Sequence, residues 1–126
     1  MTLSELIKAL EAAPDQDKVL PLGFGDPDSY RGDYRDLMLC PKADVTVSQM
    51  LADVRSALGT TYEGWKGGQF AMTGHTDCWL AYRGHGDGDT IGYLLLMLML
   101  SAGQMDAETQ DSLRKFAGTY GPGDFG

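Results

Sequence analysis

Residues 46–59, TVSQMLADVRSALG, hold the clearest secondary-structure signals in this 126-residue chain. Thr46 and Gln49 stand three positions apart, the spacing of a capping box that begins a helix. Apolar residues then recur every three or four positions, and Gly59 is typical of the position just beyond a helix end. The apolar residues of that face are Val47, Met50, Leu51, Val54 and Leu58. This stretch therefore predicts an amphipathic helix with one buried face.

The N-terminal residues predict another helix by the same signals. Thr2 and Glu5 form a second capping box. The apolar residues at positions 3, 6, 7 and 10 fall on one helical face, and Pro14 ends the pattern. The chain therefore alternates capped helices with the shorter segments described next.

Short apolar runs between and after these two helices predict strands. Residues 18–22 form the first, in which Pro21 indicates a sheet edge, and residues 37–40 form the second, which Pro41 stops. Between them, residues 23–32 are rich in glycine, proline and aspartate and predict a loop.

The second half of the chain predicts a hairpin followed by helices. Residues 69–73 and 78–82 have strand composition, and residues 74–77 make a plausible turn between them. Glycine and aspartate in residues 84–88 predict a loop. A last helix is expected over residues 106–117, with Arg114 and Lys115 in its final turn and Gly118 as its stop.

Residues 91–100 form the most apolar segment, about half the length that spans a bilayer. An all-round apolar helix of this kind has to be buried. Two explanations stay open, an interface between subunits and a core helix wrapped by the other elements. No membrane association is expected.

These patterns together predict an α+β fold, with three to four helices against a small, mainly antiparallel sheet. We expect a single domain over residues 1–118, a flexible glycine-rich tail over residues 119–126, and assembly into an oligomer. No charged region precedes an apolar leader, so a cytoplasmic location is expected.

Composition limits the partners of the protein. Ten Lys and Arg oppose eighteen Asp and Glu, for a formal net charge of −8. Binding to duplex nucleic acid depends on neutralising many phosphates, so it is not expected. A small anion can still bind where a few cations converge.

Two short runs combine cations, aromatic rings and glycines: SYRGDY at residues 29–34 and YEGWKGG at residues 62–68. A ring can stack on a base, a guanidinium can bind phosphate oxygens through two hydrogen bonds, and glycine lets backbone N–H groups approach closely. The alternative is a pair of surface turns whose Tyr and Trp rings cover the core. The candidate ligand-binding residues are Tyr30, Arg31, Tyr62, Trp65, Lys66, Gly67, Gly68 and Arg83.

Other kinds of site are less well supported. His75, Asp77, Cys78, His85 and Asp87 match no zinc-binding spacing, so neither a metal nor another cofactor is expected. No nucleophile elbow surrounds either cysteine. The run at residues 66–68 lacks the order of a nucleotide-hydrolysing phosphate loop. The aspartates of residues 26–33 leave acid–base chemistry open, although aspartates in turns commonly bind their own backbone.

The order of these segments resembles small phage-encoded proteins of the first Thoeris anti-defence type, which are nucleotide-signal sponges. The likeness lies in the run GFGDPDSYRGDY at residues 23–34, YEGWKGG at 62–68 and CWLAY at 78–82, and covers about residues 1–85. The resemblance implies sequestration, without cleavage, of a cyclic ADP-ribose isomer or a cyclic oligonucleotide. It also implies homo-oligomers from dimer to hexamer, with pockets between protomers.

Within the resemblance, Arg31 corresponds to a phosphate ligand, and Trp65 and Lys66 to a stacking ring and a cation. Three functions stay open at this point: a non-catalytic nucleotide binder, an acidic adaptor or inhibitor of a host protein, and a small nucleotide hydrolase that uses the aspartates of residues 26–33. The first is the function that we expect, and it is not an enzyme.

Overall fold

The computed structural model describes residues 1–29, 35–63, 67–81 and 88–120. Within them the chain forms four α-helices and eight short strands in one α+β domain. The helices are α1 (Leu3–Glu11), α2 (Val47–Ala57), α3 (Tyr93–Ser101) and α4 (Ala107–Tyr120). The strands are β1 (Val19–Leu20), β2 (Gly23–Ser29), β3 (Leu37–Lys42), β4 (Val45–Thr46), β5 (Thr61–Glu63), β6 (Gln69–Ala71), β7 (Cys78–Ala81) and β8 (Gly88–Thr90). The predicted α+β fold with a mainly antiparallel sheet is confirmed.

A four-stranded sheet in the order β2–β3–β7–β8 forms the centre of the fold. The β2–β3 and β7–β8 pairs are antiparallel, whereas β3 and β7 run parallel. Two smaller antiparallel pairs, β1–β4 and β5–β6, lie outside this sheet. The parallel β3–β7 pair is possible because a long connection, which includes α2 and the β5–β6 pair, links the two strands.

One hydrophobic core joins the helices to a face of this sheet. Phe24, Leu39 and Leu80 from three neighbouring strands are buried in it with apolar residues of all four helices. On β3, Met38 and Cys40 alternate with the core residues and form a smaller buried cluster with Ala81. The sheet is therefore buried on both faces at its centre.

Both predicted capping boxes are present. The Glu5 N–H donates to the Thr2 side chain at 3.2 Å, and the Thr2 N–H donates to the Glu5 carboxylate at 3.0 Å. In the second box the Gln49 N–H donates to the Thr46 side chain at 3.1 Å, and the Thr46 N–H donates to the Gln49 side chain at 2.8 Å. These local bonds satisfy N–H groups that the first helical turn leaves unpaired, so the sequence signal alone sufficed to place the helix starts.

The prediction of a loop over residues 23–32 is wrong for its first seven residues, because they form the strand β2. The strand is interrupted by a bulge between Gly25 and Asp28, where Asp26 has a positive φ of 52°. Pro27 falls in this unpaired stretch of an edge strand, a position where its missing N–H breaks no ladder. A Cβ on Gly25 would lie 2.6 Å from the Asp53 carboxylate, so glycine here permits the close approach of α2.

Two of the other strand predictions need smaller changes. The predicted strand over residues 18–22 is shorter, because only β1 finds a partner, β4. The strand predicted to stop before Pro41 continues to Lys42, since β2 still pairs with it there while the pairing with β7 ends at Leu39.

The hairpin predicted from residues 69–73 and 78–82 is also wrong. β6 pairs with the preceding strand, β5, and β7 pairs with β3 and β8. Gly88, expected in a loop, begins β8. The partners of these strands are distant in sequence, which local composition does not encode.

The apolar segment predicted over residues 91–100 forms α3, and only one side of it is buried. Leu96 and Met99 lie in the core, which agrees with the core-helix explanation for that side. Leu94 is 90% exposed and Met97 62%, so the core of a single chain covers only one side of the helix, and the interface explanation for the other side is not tested. Assembly into an oligomer stays a prediction.

The last helix begins where expected, since the Thr109 N–H donates to the Asp106 carboxylate at 2.7 Å. It continues through Gly118 to Tyr120, so Arg114 and Lys115 are not in its last turn and the predicted stop is wrong. Arg114 instead binds Asp44 at 2.9 Å and Asp111 at 3.1 Å. Residues 121–126 of the predicted tail lie outside the described residues. No helix in the described part of the chain is long and apolar enough to cross a membrane.

Candidate functional site

The two cation–aromatic runs lie at the margins of the described structure. Tyr62, Gly67 and Gly68 are described. The predicted site residues outside the described residues are Tyr30, Arg31, Trp65, Lys66 and Arg83. The structure describes the residues that are next to each run in sequence.

Tyr62 lies on β5 opposite Phe70 of β6, and its ring packs against the hydrophobic core. Burial raises the pKa of the Tyr62 hydroxyl, and the negative charges of Asp28 and Asp53 raise it further. The polar end of Tyr62 thus faces an acidic part of the surface, which disfavours contact with a phosphate there. The contacts that Tyr62 makes with other described residues are packing contacts.

Gly67 and Gly68 lead from the second run into β6 with φ values of 91° and 89°. L-residues rarely adopt this conformation, so both glycines are required by the backbone path. Among the described residues, no atom lies within 4 Å of the position that a Cβ on Gly67 would take. The backbone here is accessible to a ligand, although the positive φ values alone explain why both residues are glycine.

A surface groove of about 380 Å³ lies where the first run returns to the described structure. Arg35 and Asp36, which follow the run directly, form one wall, and Ala71 at the end of β6 contributes to the other. The turn after β6 completes the groove with Thr73, His75 and Thr76. The fold therefore brings Arg35 and Asp36 next to a turn some forty residues later in the chain.

Short hydrogen bonds shape the turn that borders the groove. The Thr73 N–H donates to the Thr76 hydroxyl at 2.8 Å, and the His75 N–H donates to the Thr73 hydroxyl at 3.2 Å. The start of α1 anchors the turn from behind, since the Leu3 N–H donates to the Thr76 carbonyl at 2.7 Å. A turn held on both sides positions its side chains without a ligand, so the groove is largely preformed.

Asp36 is the acidic member of the groove, and β7 holds it in place. The Trp79 indole N–H donates to its carboxylate at 2.7 Å. Because Leu37 and Met38 of the adjoining strand pair with Cys78 and Trp79, this bond joins neighbouring strands of the central sheet. The carboxylate thus has a structural partner on the protein.

The chemistry of the groove suits a small anion that also carries hydroxyl groups. The Arg35 guanidinium offers planar N–H donors that match a phosphate, and the imidazole and threonine hydroxyls offer further hydrogen bonds. Arg35 and His75 were not among the residues predicted for this role. Arg35 directly follows the SYRGDY run, which was a usable signal, whereas His75 joins the groove only through the tertiary fold.

Other chemistries find less support in the described residues. No three residues among the described His, Cys, Asp and Glu come together as a metal site. Two of the aspartates considered for acid–base chemistry, Asp26 and Asp28, lie in β2 and not in a loop. The Asp26 carboxylate lies 3.6 Å from the Lys42 ammonium. Asp33 is outside the described residues.

Neither cysteine is placed as a nucleophile. Burial, together with Asp26 and Asp28, raises the pKa of Cys40 to about 11, and burial raises that of Cys78 to about 12. Because the thiolate is the reactive form, both thiols are almost fully protonated at neutral pH. Both cysteines are small buried residues of the apolar clusters.

We expect both cysteines of the native protein to react with a thiol reagent at pH 8 at least about a hundredfold more slowly than those of the urea-unfolded chain. The physical reason is the raised pKa together with the loss of access. Absorbance after addition of Ellman's reagent measures both rates. Fast labelling of either thiol in the native protein would show that the burial is wrong.

Fold and groove together define a small α+β domain with a preformed polar groove beside its first cation–aromatic run. No protein-family model, curated protein or solved structure matches this chain. Its function is therefore proposed from its own residues and from the resemblance noted in the sequence.

Proposed function

We propose that this protein binds a small anionic nucleotide signal and sequesters it without cleaving it. The observation that supports the proposal most is the groove at the end of the SYRGDY run, where Arg35, His75 and two threonines meet. The ligand class follows from the resemblance, which implies a cyclic ADP-ribose isomer or a cyclic oligonucleotide. On this proposal the protein is phage-encoded and blocks anti-phage defence in the cytoplasm of an infected bacterium.

Size and chemistry both support a ligand of this kind. Grooves that hold small molecules usually measure about 300–1,000 Å³, and this one has about 380 Å³ within the described residues. Arg35 can bind two phosphate oxygens at once, while Thr73 and His75 can bind ribose hydroxyls. We propose that Arg31 and Trp65 of the two runs, which lie outside the described residues, supply a further phosphate ligand and a stacking ring.

The net charge of −8 requires the affinity to arise locally. A negatively charged protein slows the approach of an anion, and this effect is screened beyond about 10 Å at 0.1 M salt. Inside the groove, the uncharged Trp79 indole N–H fixes the position of the Asp36 carboxylate, which keeps its negative charge. The cations of the groove and of the adjacent run then determine binding.

Sequestration is the better proposal than hydrolysis because the cysteines and Asp26, which were considered for nucleophilic or acid–base chemistry, do not line the groove. The cysteines are buried and protonated, and Asp26 pairs with Lys42 on β3. A trap needs only a slow release of its ligand, which hydrogen bonds and stacking can supply.

The fate of the ligand tests the proposal. The protein is incubated with a cyclic ADP-ribose isomer, and in parallel with a cyclic trinucleotide, then freed of unbound ligand and denatured by heat. Mass spectrometry of the supernatant should recover one of them intact in an amount close to that of the protein.

A cleaved product would contradict sequestration and support the hydrolase alternative. If neither ligand is retained, the nucleotide class is wrong. Capture of a host protein without any nucleotide would then support the adaptor alternative.

A further inference from the structure

The first turn of α1 binds the turn that borders the ligand groove. The first four N–H groups of a helix have no partner within it, and in α1 the capping box satisfies the first and the fourth. The two between them bind the groove turn. The Leu3 N–H donates to the Thr76 carbonyl at 2.7 Å, and the Ser4 N–H donates to the Gly74 carbonyl at 3.0 Å. Backbone hydrogen bonds therefore join the helix start to the groove turn.

One peptide unit of this turn links α1 to the groove. The carbonyl of Gly74 and the N–H of His75 belong to the same planar unit. Ser4 binds the carbonyl, and the N–H donates at 3.2 Å to the hydroxyl of Thr73, which lines the groove. Because the unit is rigid, the bond from Ser4 also sets the direction of the bond to Thr73. The positions of Thr73 and His75 in the groove thus depend on α1.

The groove turn is also packed closely on both sides. A Cβ on Gly74 would lie 3.3 Å from the Cβ of Ser4, so glycine here permits the close approach of the turn to α1. On the other side, the Leu37 N–H donates to the Asp77 carbonyl at 2.8 Å, and Leu37 directly follows the groove residue Asp36. The turn therefore lies between the start of α1 and the strand that follows the first groove wall.

Helix α2 begins in the same way but at another segment of the chain. Its capping box also satisfies the first and the fourth N–H group. The Val47 N–H donates to the Lys18 carbonyl at 3.4 Å, and the Ser48 N–H donates to the Gln16 carbonyl at 2.9 Å. Neither Lys18 nor Gln16 is among the described residues that line the groove. Ser4 and Ser48 are thus the same residue at the same helical position, bound to different segments.

We propose that the first turn of α1 positions the ligand groove, so that the affinity for the nucleotide depends on the backbone N–H groups of Leu3 and Ser4; this role rests on the proposed function of the groove. The two residues do not touch the ligand and act through Thr73, His75 and Thr76. Because coupling between two sites is reciprocal, a ligand in the groove in turn stabilises the start of α1.

The physical basis is the entropy cost of ordering a binding turn. A turn that is already held in its binding conformation loses little conformational freedom when a ligand binds. When a bond to α1 is removed, the turn occupies other conformations as well, and only the binding-competent fraction takes up the ligand. The apparent affinity then falls by that fraction, although the contacts in the complex stay the same.

Ser4→Pro tests this role. Proline removes the N–H that binds Gly74 but breaks no hydrogen bond within α1, because this N–H has no partner in the helix. The probe is whichever of the cyclic ADP-ribose isomer and the cyclic trinucleotide the wild-type chain retains. Its affinity in isothermal titration calorimetry should fall about five- to tenfold, the loss that one hydrogen bond of ordinary strength can cause.

Two control variants separate positioning from stability. Ser48→Pro removes the matching N–H of α2, so it should lower the melting temperature by an amount similar to that of Ser4→Pro. It should leave the affinity within about twofold of wild type, because its bond holds Gln16 and not the groove turn. Ser4→Ala keeps the N–H and removes only the hydroxyl, so it should bind as wild type does.

Amide hydrogen exchange gives a readout that needs no ligand. The N–H groups of His75 and Thr76 should exchange faster in Ser4→Pro than in wild type, whereas Ser48→Pro should leave them unchanged. In wild type, addition of the retained nucleotide should slow the exchange of the Ser4 N–H but not that of the Ser48 N–H. A purely structural role of α1 would not produce this second effect.

The contrary results are equally distinct. Equal losses of affinity in the two proline variants would show a general effect of stability and overturn the proposal. Weak binding by Ser4→Ala, or unchanged exchange in Ser4→Pro, would overturn it as well. If Ser4→Pro does not fold, Gly74→Ala takes its place, since its Cβ presses the turn away from α1, and unchanged affinity there would be contrary. If wild type retains neither nucleotide, the proposed function is wrong, and hydrogen exchange alone decides whether α1 holds the turn.

Discussion

Replacing Arg31 and Arg35 together by alanine should lower the affinity for the nucleotide about a hundredfold or more. A hydrogen bond to a charged group contributes about 1.5–3 kcal/mol, and each 1.4 kcal/mol changes the dissociation constant tenfold. Arg35 is exposed, and an exposed charged side chain contributes about 1 kcal/mol at most through its interactions, so its loss should lower the melting temperature only slightly. Isothermal titration calorimetry and a thermal unfolding curve measure the two effects separately.

Arg55→Ala is the matched control for this experiment. Arg55 carries the same charge on α2 and binds Glu11 at 2.7 Å in an exposed ion pair, which contributes about 1 kcal/mol at most. Its removal changes the net charge by the same amount per residue as each groove variant. It should leave ligand affinity within about twofold, which separates a local contact from a general charge effect.

The corresponding lysine variants identify the kind of contact. Arg31→Lys with Arg35→Lys keeps both charges but removes the planar pair of donors, so affinity should recover only in part. Full recovery would mean that charge alone matters. If the double alanine variant binds as tightly as wild type, neither arginine contacts the ligand and the groove is not the site.

Gly88→Ala should destabilise the protein by about 3 kcal/mol or more, close to the upper range of overpacking substitutions. Gly88 pairs with Ala81 at the start of β8, and a Cβ there would collide with the backbone carbonyl of Leu80. Since backbone cannot rotate away as a side chain can, β7 and β8 would have to separate. We expect the melting temperature to fall by roughly 10 °C or more.

Gly92→Ala is the matched substitution outside the sheet. No atom in the described part of the chain lies within 4 Å of the position that its Cβ would take, and any residue can adopt its φ of −118°. Its cost should stay below about 1 kcal/mol, which reflects only a poorer helix cap. Equal melting temperatures for the two variants would contradict the pairing of β8 with β7.

The helices of this protein were predictable because their signals are local. Thr2 with Glu5 and Thr46 with Gln49 satisfy N–H groups within one turn, so the residues that begin a helix also contain the reason for it. The end of α4 was less predictable. Gly118 is a common stop, yet nothing beyond a modest propensity cost prevents a helix from continuing through one glycine.

The strands depended on partners that the local sequence does not reveal. β2 has the composition of a loop, but β3 pairs with it on both sides of a bulge, and its glycines make room for α2. β6 pairs with β5 and not with β7, because strand pairing follows from long-range packing and not from the order of strands along the chain. The same limit applies to α3, whose uniform apolar composition gave no means of telling its buried side from its exposed one.

The candidate site divides in the same way. The sequence alone identified the two cation–aromatic runs and their glycines. It also led to the expectation of an anionic ligand, since this follows from residue chemistry. The tertiary structure decided that Tyr62 packs inward near Asp28 and Asp53, and that Arg35 shares a groove with His75. The physical reason is that a site is defined by distances between residues far apart in the chain, and only the packing of the sheet and α1 determines those distances.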